Sequence, residues 1–325
     1  MRLSFKPNFT CMPTRNLWFV NVFSTVRRQN NVVKIGSWSG SRWRRGPSHG
    51  TTSTMVNPAL GNVSVLCVVD VVIGVTQLHD VVYMVCQWSS AIMRFNATTH
   101  QRLKDIDIKG MSSPLDIVSC ERTSQLYVAG VNCVLRVSSD GRYIQHWLPE
   151  PPDDTFKPWS LSVMTSTHLL VTSRNTRQLR QFDTDGINEL RRRRVQLPDH
   201  MEPRHAVASP TGTFIVGLYN TQLGHCQVVE VNTGRHVLRQ LSGSHLTSLS
   251  TTLHVAVDSR GNIFVADHDN RHILLLDNHL SLRRVIIDEH QLNYMEPRRL
   301  CYREDKGQLL VALGIKVVMF DVLCR

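Results

Sequence analysis

The sequence of 325 residues predicts an all-β fold, a six-bladed β-propeller whose blades are four-stranded antiparallel sheets. Three observations predict it. Short apolar runs alternate with turn residues, and no long helical period is present. One pattern of strands recurs six times, at intervals of 43 to 49 residues. The chain also stops after the third strand of the last unit, while an unassigned apolar strand precedes the first unit.

The first 60 residues form a basic leader that we expect to be disordered and separate from the repeats. Nine Lys and Arg residues and no carboxylate precede Asp70, so the net charge of +11 divides into +9 for residues 1–69 and +2 for residues 70–325. A mitochondrial transit peptide is one alternative. A nucleic-acid arm that uses Arg42, Trp43, Arg44 and Arg45 is another. The near-neutral body gives no general argument for nucleic-acid binding.

Composition places the rest of the chain, residues 61–325, among globular proteins. Hydrophobic residues make up 42% of the sequence, and the apolar stretch Val63–Val75 contains Asp70 and is too short for a membrane span. The eight cysteines form no CxxC pair, which argues against zinc-finger spacing. We expect reduced thiols, no membrane insertion, a monomer and a cytoplasmic location, with the mitochondrial and secreted alternatives left open by the leader.

The repeated unit is about 45 residues long and is recognised by its second strand. Each second strand contains an apolar triplet whose last residue serves as a marker, and these markers are Met84, Val128, Val171, Val216, Val265 and Val311. A single four-stranded sheet cannot bury both of its faces. Stacking six such sheets around an axis lets each blade cover its neighbours, which favours the propeller.

The two ends of the body predict how the ring closes. The sixth unit has no fourth strand before the chain ends at Arg325, and Val63–Val68 is left over before the first unit. We therefore expect Val63–Val68 to be the outer strand of the sixth blade. This pairing would remove a sheet edge that invites aggregation.

The fifth unit reads HVAVDSRGNIFVADHDNRHILLLD over residues 254–277 and resembles an NHL repeat. The body from about residue 63 to 325 resembles the six-bladed NHL domain of TRIM-NHL type proteins. Units four and six match less well, and units one to three lack the Gly before the second strand and the Asp after it. The resemblance implies a platform for protein or RNA. The RING, B-box and coiled-coil patterns of TRIM-type relatives are absent from this sequence.

Two groups of polar residues suggest sites near the ring's axis or loops. Asp267, Asp269 and Asn270 fall in a turn, where short polar side chains satisfy backbone amides, so we expect a turn and not a metal site. In five of the first strands, a polar residue stands two positions after a Pro or a Thr. We call these five residues the polar column: Asp116, Ser160, His205, His254 and Arg299. We expect this column at the mouth of the central channel, as a water-filled rim.

The alternative for the column is a ligand or metal held by Asp116, His205 and His254. Only one carboxylate is present, so the calcium site of gluconolactonase-like propellers is not reproduced. We therefore expect no metal and no cofactor.

The loops between second and third strands should share one face with the starts of the first strands. The predicted binding face consists of Lys157, Trp159, Arg174, Arg177, Arg204, His205, Arg271, Arg298 and Arg299. Basic and aromatic side chains together suit acidic or phosphate-bearing partners. The alternative is that these charged side chains are ordinary solvated surface residues that bind no partner. A second basic group, the basic edge Arg191, Arg192, Arg193 and Arg194, is expected on the outer strand of blade three, as a solvated edge or a docking site.

No GxSxG, HExxH, P-loop or GxGxxG motif is present in the sequence. We therefore expect a non-enzymatic scaffold that binds protein partners through its loop face. RNA binding is the first alternative. A propeller hydrolase or lyase with a metal in the central channel is the second.

Overall fold

The computed structural model describes residues 60–68, 70–111, 113–148, 156–165, 168–184, 189–241 and 253–322. The predicted leader lies outside them, except for Leu60. The described residues form twenty-four strands arranged as six four-stranded antiparallel sheets. The predicted fold class is therefore confirmed. The described part holds no helix long and apolar enough to cross a membrane.

Blades one to three each use four consecutive strands, and the first strand of each is innermost. They comprise β2 (Val72–Leu78), β3 (Val81–Cys86), β4 (Ala91–Asn96), β5 (Ile106–Asp107), β6 (Pro114–Cys120), β7 (Gln125–Gly130), β8 (Val134–Ser138), β9 (Ile144–Leu148), β10 (Ser160–Thr165), β11 (His168–Ser173), β12 (Gln178–Asp183) and β13 (Glu189–Gln196).

Blades four to six continue the ring, and the sixth takes its outer strand from the N-terminal side. They comprise β14 (Met201–Ala208), β15 (Phe214–Asn220), β16 (His225–Val231), β17 (Val237–Gln240), β18 (Leu253–Val257), β19 (Ile263–Asp267), β20 (His272–Leu276), β21 (Leu282–Ile287), β22 (Pro297–Arg303), β23 (Gln308–Leu313), β24 (Lys316–Val322) and β1 (Leu60–Cys67).

The pairing of β1 with β24 confirms the predicted ring closure. Val65 lies opposite Val318 and Leu66 opposite Val317. The connection to blade one is also fixed, because the Val72 amide donates to the Gly314 carbonyl at 2.7 Å. The ring therefore closes by joining its two ends within one sheet.

The core lies between the blades, in six clusters that each combine residues of two adjacent blades. In β23, Leu309 and Val311 pack against blade five, whereas Leu310 and Ala312 pack against blade one. Successive side chains of a strand point to opposite faces, so a strand covered on both sides is apolar throughout. This explains why the second strands are the clearest repeated signal in the sequence.

Two faces of the ring follow from this connectivity. The loop face carries the turns between second and third strands, at residues 87–90, 131–133, 174–177, 221–224, 268–271 and 314–315, together with the starts of the first strands. The opposite face carries the turns between first and second strands, described at 79–80, 121–124, 209–213, 258–262 and 304–307.

Candidate functional site

Three members of the polar column, Asp116, His205 and Arg299, follow bulges near the start of the inner strands. The strand register shifts between Pro114 and Asp116, and again between Pro203 and His205 and between Pro297 and Arg299. A bulge bends the strand and re-aims the side chain that follows it. These three side chains therefore turn toward the neighbouring blade and the ring axis.

Two members of the column bind backbone groups of the next blade. The Asp116 carboxylate accepts from the Leu161 amide at 2.9 Å, and its other oxygen accepts from the Ile117 amide at 2.9 Å. His254 Nδ1 accepts from the Leu300 amide at 3.2 Å. These bonds join blade two to three and blade five to six.

Two other members make further contacts near the axis. His205 Nε2 lies 3.2 Å from the Leu161 carbonyl, and the His205 ring stacks on that of His254 with centroids 3.6 Å apart. Ser160 stays within its own blade, since its Oγ lies 2.7 Å from Thr172 Oγ1. The column is thus tied mainly to protein groups.

Arg299 reaches from blade six to blade two, past blade one. Its Nε lies 3.4 Å from an Asp116 carboxylate oxygen, and its Nη2 donates to the Leu115 carbonyl at 3.1 Å. Blade one has Gly74 at the matching post-bulge position. A Cβ there would lie 2.9 Å from the Ile117 nitrogen, so glycine permits close packing of blades one and two.

The structure places the column deeper than the sequence predicted, which corrects its assignment to the channel mouth. Its members, Asp116, Ser160, His205, His254 and Arg299, are all buried. A cavity of about 830 Å³ begins at the Asp116 and histidine side chains and extends to the loops of the opposite face. The Arg299–Asp116 pair and the stacked histidines occupy the axis on the loop-face side of that cavity.

Burial controls the protonation of the column. Desolvation lowers the pKa of His205 to about 3, with help from the Arg299 charge. The pKa of His254 is held well below its usual value by burial and by the neighbouring His205 and Arg299. Both rings are therefore neutral near pH 7. Burial raises the pKa of Asp116, against the opposing effects of Arg299 and two backbone amides.

The predicted alternative of a metal held by Asp116, His205 and His254 has some geometric basis, because one potential ligand atom from each residue lies within 4.8 Å of the others. The hydrogen bonds fit a metal poorly. A neutral histidine that binds metal through Nε2 carries its proton on Nδ1. His254 Nδ1 instead faces the Leu300 N–H donor. Both Asp116 oxygens also accept hydrogen bonds from backbone amides. The polar column therefore connects neighbouring blades, and we call this set of contacts the inter-blade latch.

On the loop face, the predicted basic and aromatic residues do come together, but they bind one another. The guanidinium of Arg174 lies 4.3 Å from the centroid of the Trp159 ring, and that of Arg204 lies 5.1 Å from the Tyr219 ring. Glu202 lies 3.4 Å from Arg174 and 3.8 Å from Arg204. Burial and the Arg174 charge lower the pKa of Arg204.

Two of the other basic residues of this face also have nearby carboxylates. Arg177 lies 3.7 Å from Asp199, and Arg298 lies 3.6 Å from Glu296. Lys157 is exposed and Arg271 is half-buried. His205 and Arg299 are buried in the column and so do not contribute to the exposed face.

Sequence reasoning missed these carboxylates, although a signal was available. The tetrapeptide Met-Glu-Pro-Arg occurs twice, at residues 201–204 and 295–298. Glu202 is the second residue of β14 and Glu296 directly precedes β22, and in both copies the Glu lies beside the Arg two residues later. The repeated motif therefore builds an acid–base pair at the entrance of blades four and six.

Exposed apolar side chains on the same face were also missed. Trp88 is 77% exposed, Val131 50%, Leu223 57% and Ile315 44%, and each lies in a turn between a second and a third strand. Tyr294, 54% exposed, precedes the inner strand of blade six. The signal in the sequence is a large apolar residue where a polar turn residue is usual.

Three of these residues belong to adjacent blades. The Gln87 amide donates to Val71, and the Val72 amide donates to Gly314, so the turns that carry Trp88 and Ile315 flank one backbone segment. Val131 lies on the next blade. We call Ile315, Trp88 and Val131, from blades six, one and two, the apolar arc.

The remaining predicted residues lie away from these groups. Asn270 Nδ2 donates to Asp267 at 2.8 Å across the turn, and His268 contacts Asp269 at 2.5 Å, in agreement with a turn role. Arg191–Arg194 lie on β13, the outer strand of blade three, as predicted. Arg194 is exposed and donates to Gln178, whereas the side chains of residues 191–193 lie outside the described residues.

No model of a known protein family and no curated protein matches the chain. Solved structures do match it. A gluconolactonase from Xanthomonas campestris superposes with a TM-score of 0.62 at 11% identity, over 84% of this chain and 94% of the other. A catalytically inactive virginiamycin B lyase from Staphylococcus aureus with quinupristin gives 0.57 at 12% identity, over 78% and 80%. A chain of a nidogen/laminin complex gives 0.53 at 14% identity, over 68% and 81%. At these identities the likenesses show the β-propeller fold alone.

Proposed function

We propose that this propeller is a non-enzymatic scaffold that binds protein partners through its loop face. The observation that carries the proposal is the apolar arc, in which Ile315, Trp88 and Val131 are exposed on adjacent blades. Large apolar side chains that cluster on a soluble surface mark interaction sites, and tryptophan is enriched among residues that dominate binding energy.

The electrostatics of the same face favour protein over RNA as the partner. Glu202, Glu296 and Asp199 lie among the arginines and would repel a phosphate backbone. Trp159 and Tyr219 already carry guanidinium groups on their rings, which competes with base stacking. A protein surface with both apolar and mixed polar groups complements this face better than a polyanion does.

Two further points support the proposal. The NHL-like pattern of unit five implies an interaction platform, and the nidogen/laminin complex contains a propeller of the same fold in a protein assembly. The column residues that could serve a reaction are instead engaged in hydrogen bonds between blades.

Affinity capture with and without nuclease tests the proposal. We expect the purified chain to retain specific proteins after nuclease treatment and to retard no RNA in a gel at 150 mM salt. Capture that disappears with nuclease, together with RNA retardation that weakens as salt rises, would support the RNA alternative and overturn the protein one.

A propeller hydrolase or lyase with a metal in the channel is the second candidate, because Asp116, His205 and His254 bring three potential ligand atoms within 4.8 Å. Its test is a zinc and calcium titration monitored by calorimetry. About one equivalent bound by the wild type but not by His254→Gln would favour this candidate. The absence of saturable binding would remove it.

A further inference from the structure

The central cavity is a second candidate site, on the side of the ring away from the loop face. Its volume of about 830 Å³ lies within the range typical of sites for small molecules. The walls include apolar side chains of the inner strands, such as Val75, Val163, Val255 and Leu300. The cavity extends to turns of the opposite face, so a ligand could enter without disturbing the apolar arc.

The charges of the lining residues favour a cation. Five carboxylate residues line the cavity against two arginines: Asp116, Glu121, Asp258, Glu304 and Asp305 against Arg122 and Arg303. A low-dielectric pocket lined mainly by one sign of charge concentrates the opposite charge.

Among these carboxylates, Glu121 is the one left available. Asp116 is paired with Arg299, and Asp305 lies 2.5 Å from Arg303. Glu304 accepts from Ser259, and both Asp258 oxygens accept from Asn262. Within the described residues, Glu121 is exposed and its carboxylate makes no hydrogen bond or ion pair. Glu121 lines the cavity from blade two.

An independent observation comes from Gln77, on the blade next to Glu121. Gln77 lines the cavity and is 5% exposed. Its Nε2 donates to the His79 carbonyl at 2.9 Å, and its backbone carbonyl accepts from Ser119 at 2.8 Å. Its Oε1 is buried and accepts no hydrogen bond from the described residues. A buried acceptor without a donor is costly, so this atom favours a ligand that donates.

We propose that the cavity binds a small organic cation, an ammonium or guanidinium group on a compact apolar body. The cation would lie near Glu121 and donate an N–H to Gln77 Oε1. The apolar body would pack against the valine and leucine side chains of the inner strands. This site is independent of the protein-binding role of the loop face.

Calorimetry with three probes of one shape tests the proposal. Phenethylamine, phenethyl alcohol and 3-phenylpropionate share an aromatic body and differ in charge. We expect phenethylammonium to bind at least about tenfold more tightly than the other two. Glu121→Gln should weaken its binding about fivefold, as expected for one partly exposed ion pair. Gln77→Leu should also weaken it, because the acceptor is lost.

Asp199→Asn, a carboxylate removed from the loop face, is the matched control and should leave the affinity unchanged. Melting temperatures confirm that each variant is folded. Equal affinity for the three probes, tightest binding of the carboxylate, or unchanged affinity in both Glu121→Gln and Gln77→Leu would overturn the proposal. Binding of an arginine tripeptide without binding of phenethylammonium would overturn it as well, in favour of a peptide ligand.

Discussion

Leu66 is the side chain through which the N-terminal strand closes the ring, and its truncation is a direct test of closure. Leu66 is fully buried and shares a cluster with Val72 of blade one and Val317 of blade six. Truncating a buried leucine to alanine costs about 2–5 kcal/mol, because the transfer free energy is lost and a cavity remains. For a domain of this size, a loss of about 3 kcal/mol lowers the melting temperature by about 6–12 °C.

Thermal unfolding followed by circular dichroism measures this effect for Leu66→Ala. Ser64→Ala on the same strand is the matched control, because Ser64 is half-buried and outside the cluster. Two truncations extend the test. Deleting residues 1–59 leaves β1 in place and should leave the melting temperature unchanged.

Deleting residues 1–69 removes β1, and we expect it to lower the melting temperature further than Leu66→Ala does. The larger drop in melting temperature is expected because β24 also loses its pairing with β1 and becomes an open sheet edge. Equal melting temperatures for the two truncations would refute the closure argument. A Leu66→Ala protein with the same melting temperature as the wild type would refute the packing argument.

Three further predictions concern buried groups. Asp116→Ala leaves Arg299 buried without its carboxylate and should cost about 3–5 kcal/mol in urea unfolding; a loss below about 1 kcal/mol would contradict the latch. His205 and His254 stay neutral in the folded state but protonate near pH 6.5 when unfolded. Their stabilisation is therefore complete above pH 6.5 and falls by up to about 1.4 kcal/mol per pH unit for each ring on acidification; His205→Phe should reduce this slope, and an unchanged slope would contradict it. Burial raises the pKa of Cys226 to about 12, so its thiol should react with a disulfide reagent only after unfolding, and rapid labelling of the native protein would contradict its burial.

The repeat architecture was predictable from the sequence because the second strands are covered on both sides. Alternating residues such as Leu309 and Leu310 face different neighbours, so the whole strand is apolar and recurs with the blade. The closure by β1 was predictable for a related reason. In the sequence the sixth unit has only three strands, and the apolar strand Val63–Val68 belongs to none of the six units.

The depth of the polar column was not predictable, because it depends on bulges and on one glycine. The spacing after Pro114 and Pro297 marked the column, but the shift in register that turns Asp116 and Arg299 toward each other is a property of strand pairing. Gly74 carries no side chain and so gave no polar signal at the matching position of blade one.

The charge of the loop face was predicted only in part. The arginines were aligned by the repeat, whereas two of their partners, Asp199 and Glu296, lie in connections between blades and Glu202 lies at the very start of β14. Glu202 and Glu296 reach Arg204 and Arg298 because proline fixes the backbone between them. Four of the predicted arginines of this face, Arg174, Arg177, Arg204 and Arg298, therefore have adjacent carboxylates.

The central claim is that the apolar arc is the protein-binding surface, and partner capture by a matched pair of variants tests it most directly. Trp88→Ser combined with Ile315→Ser removes two exposed side chains of the arc. Leu238→Ser removes a similarly exposed apolar side chain from β17, an outer strand. We predict that the double variant keeps the wild-type melting temperature and loses the captured proteins, whereas Leu238→Ser retains them. Full capture by the folded double variant would contradict the proposal.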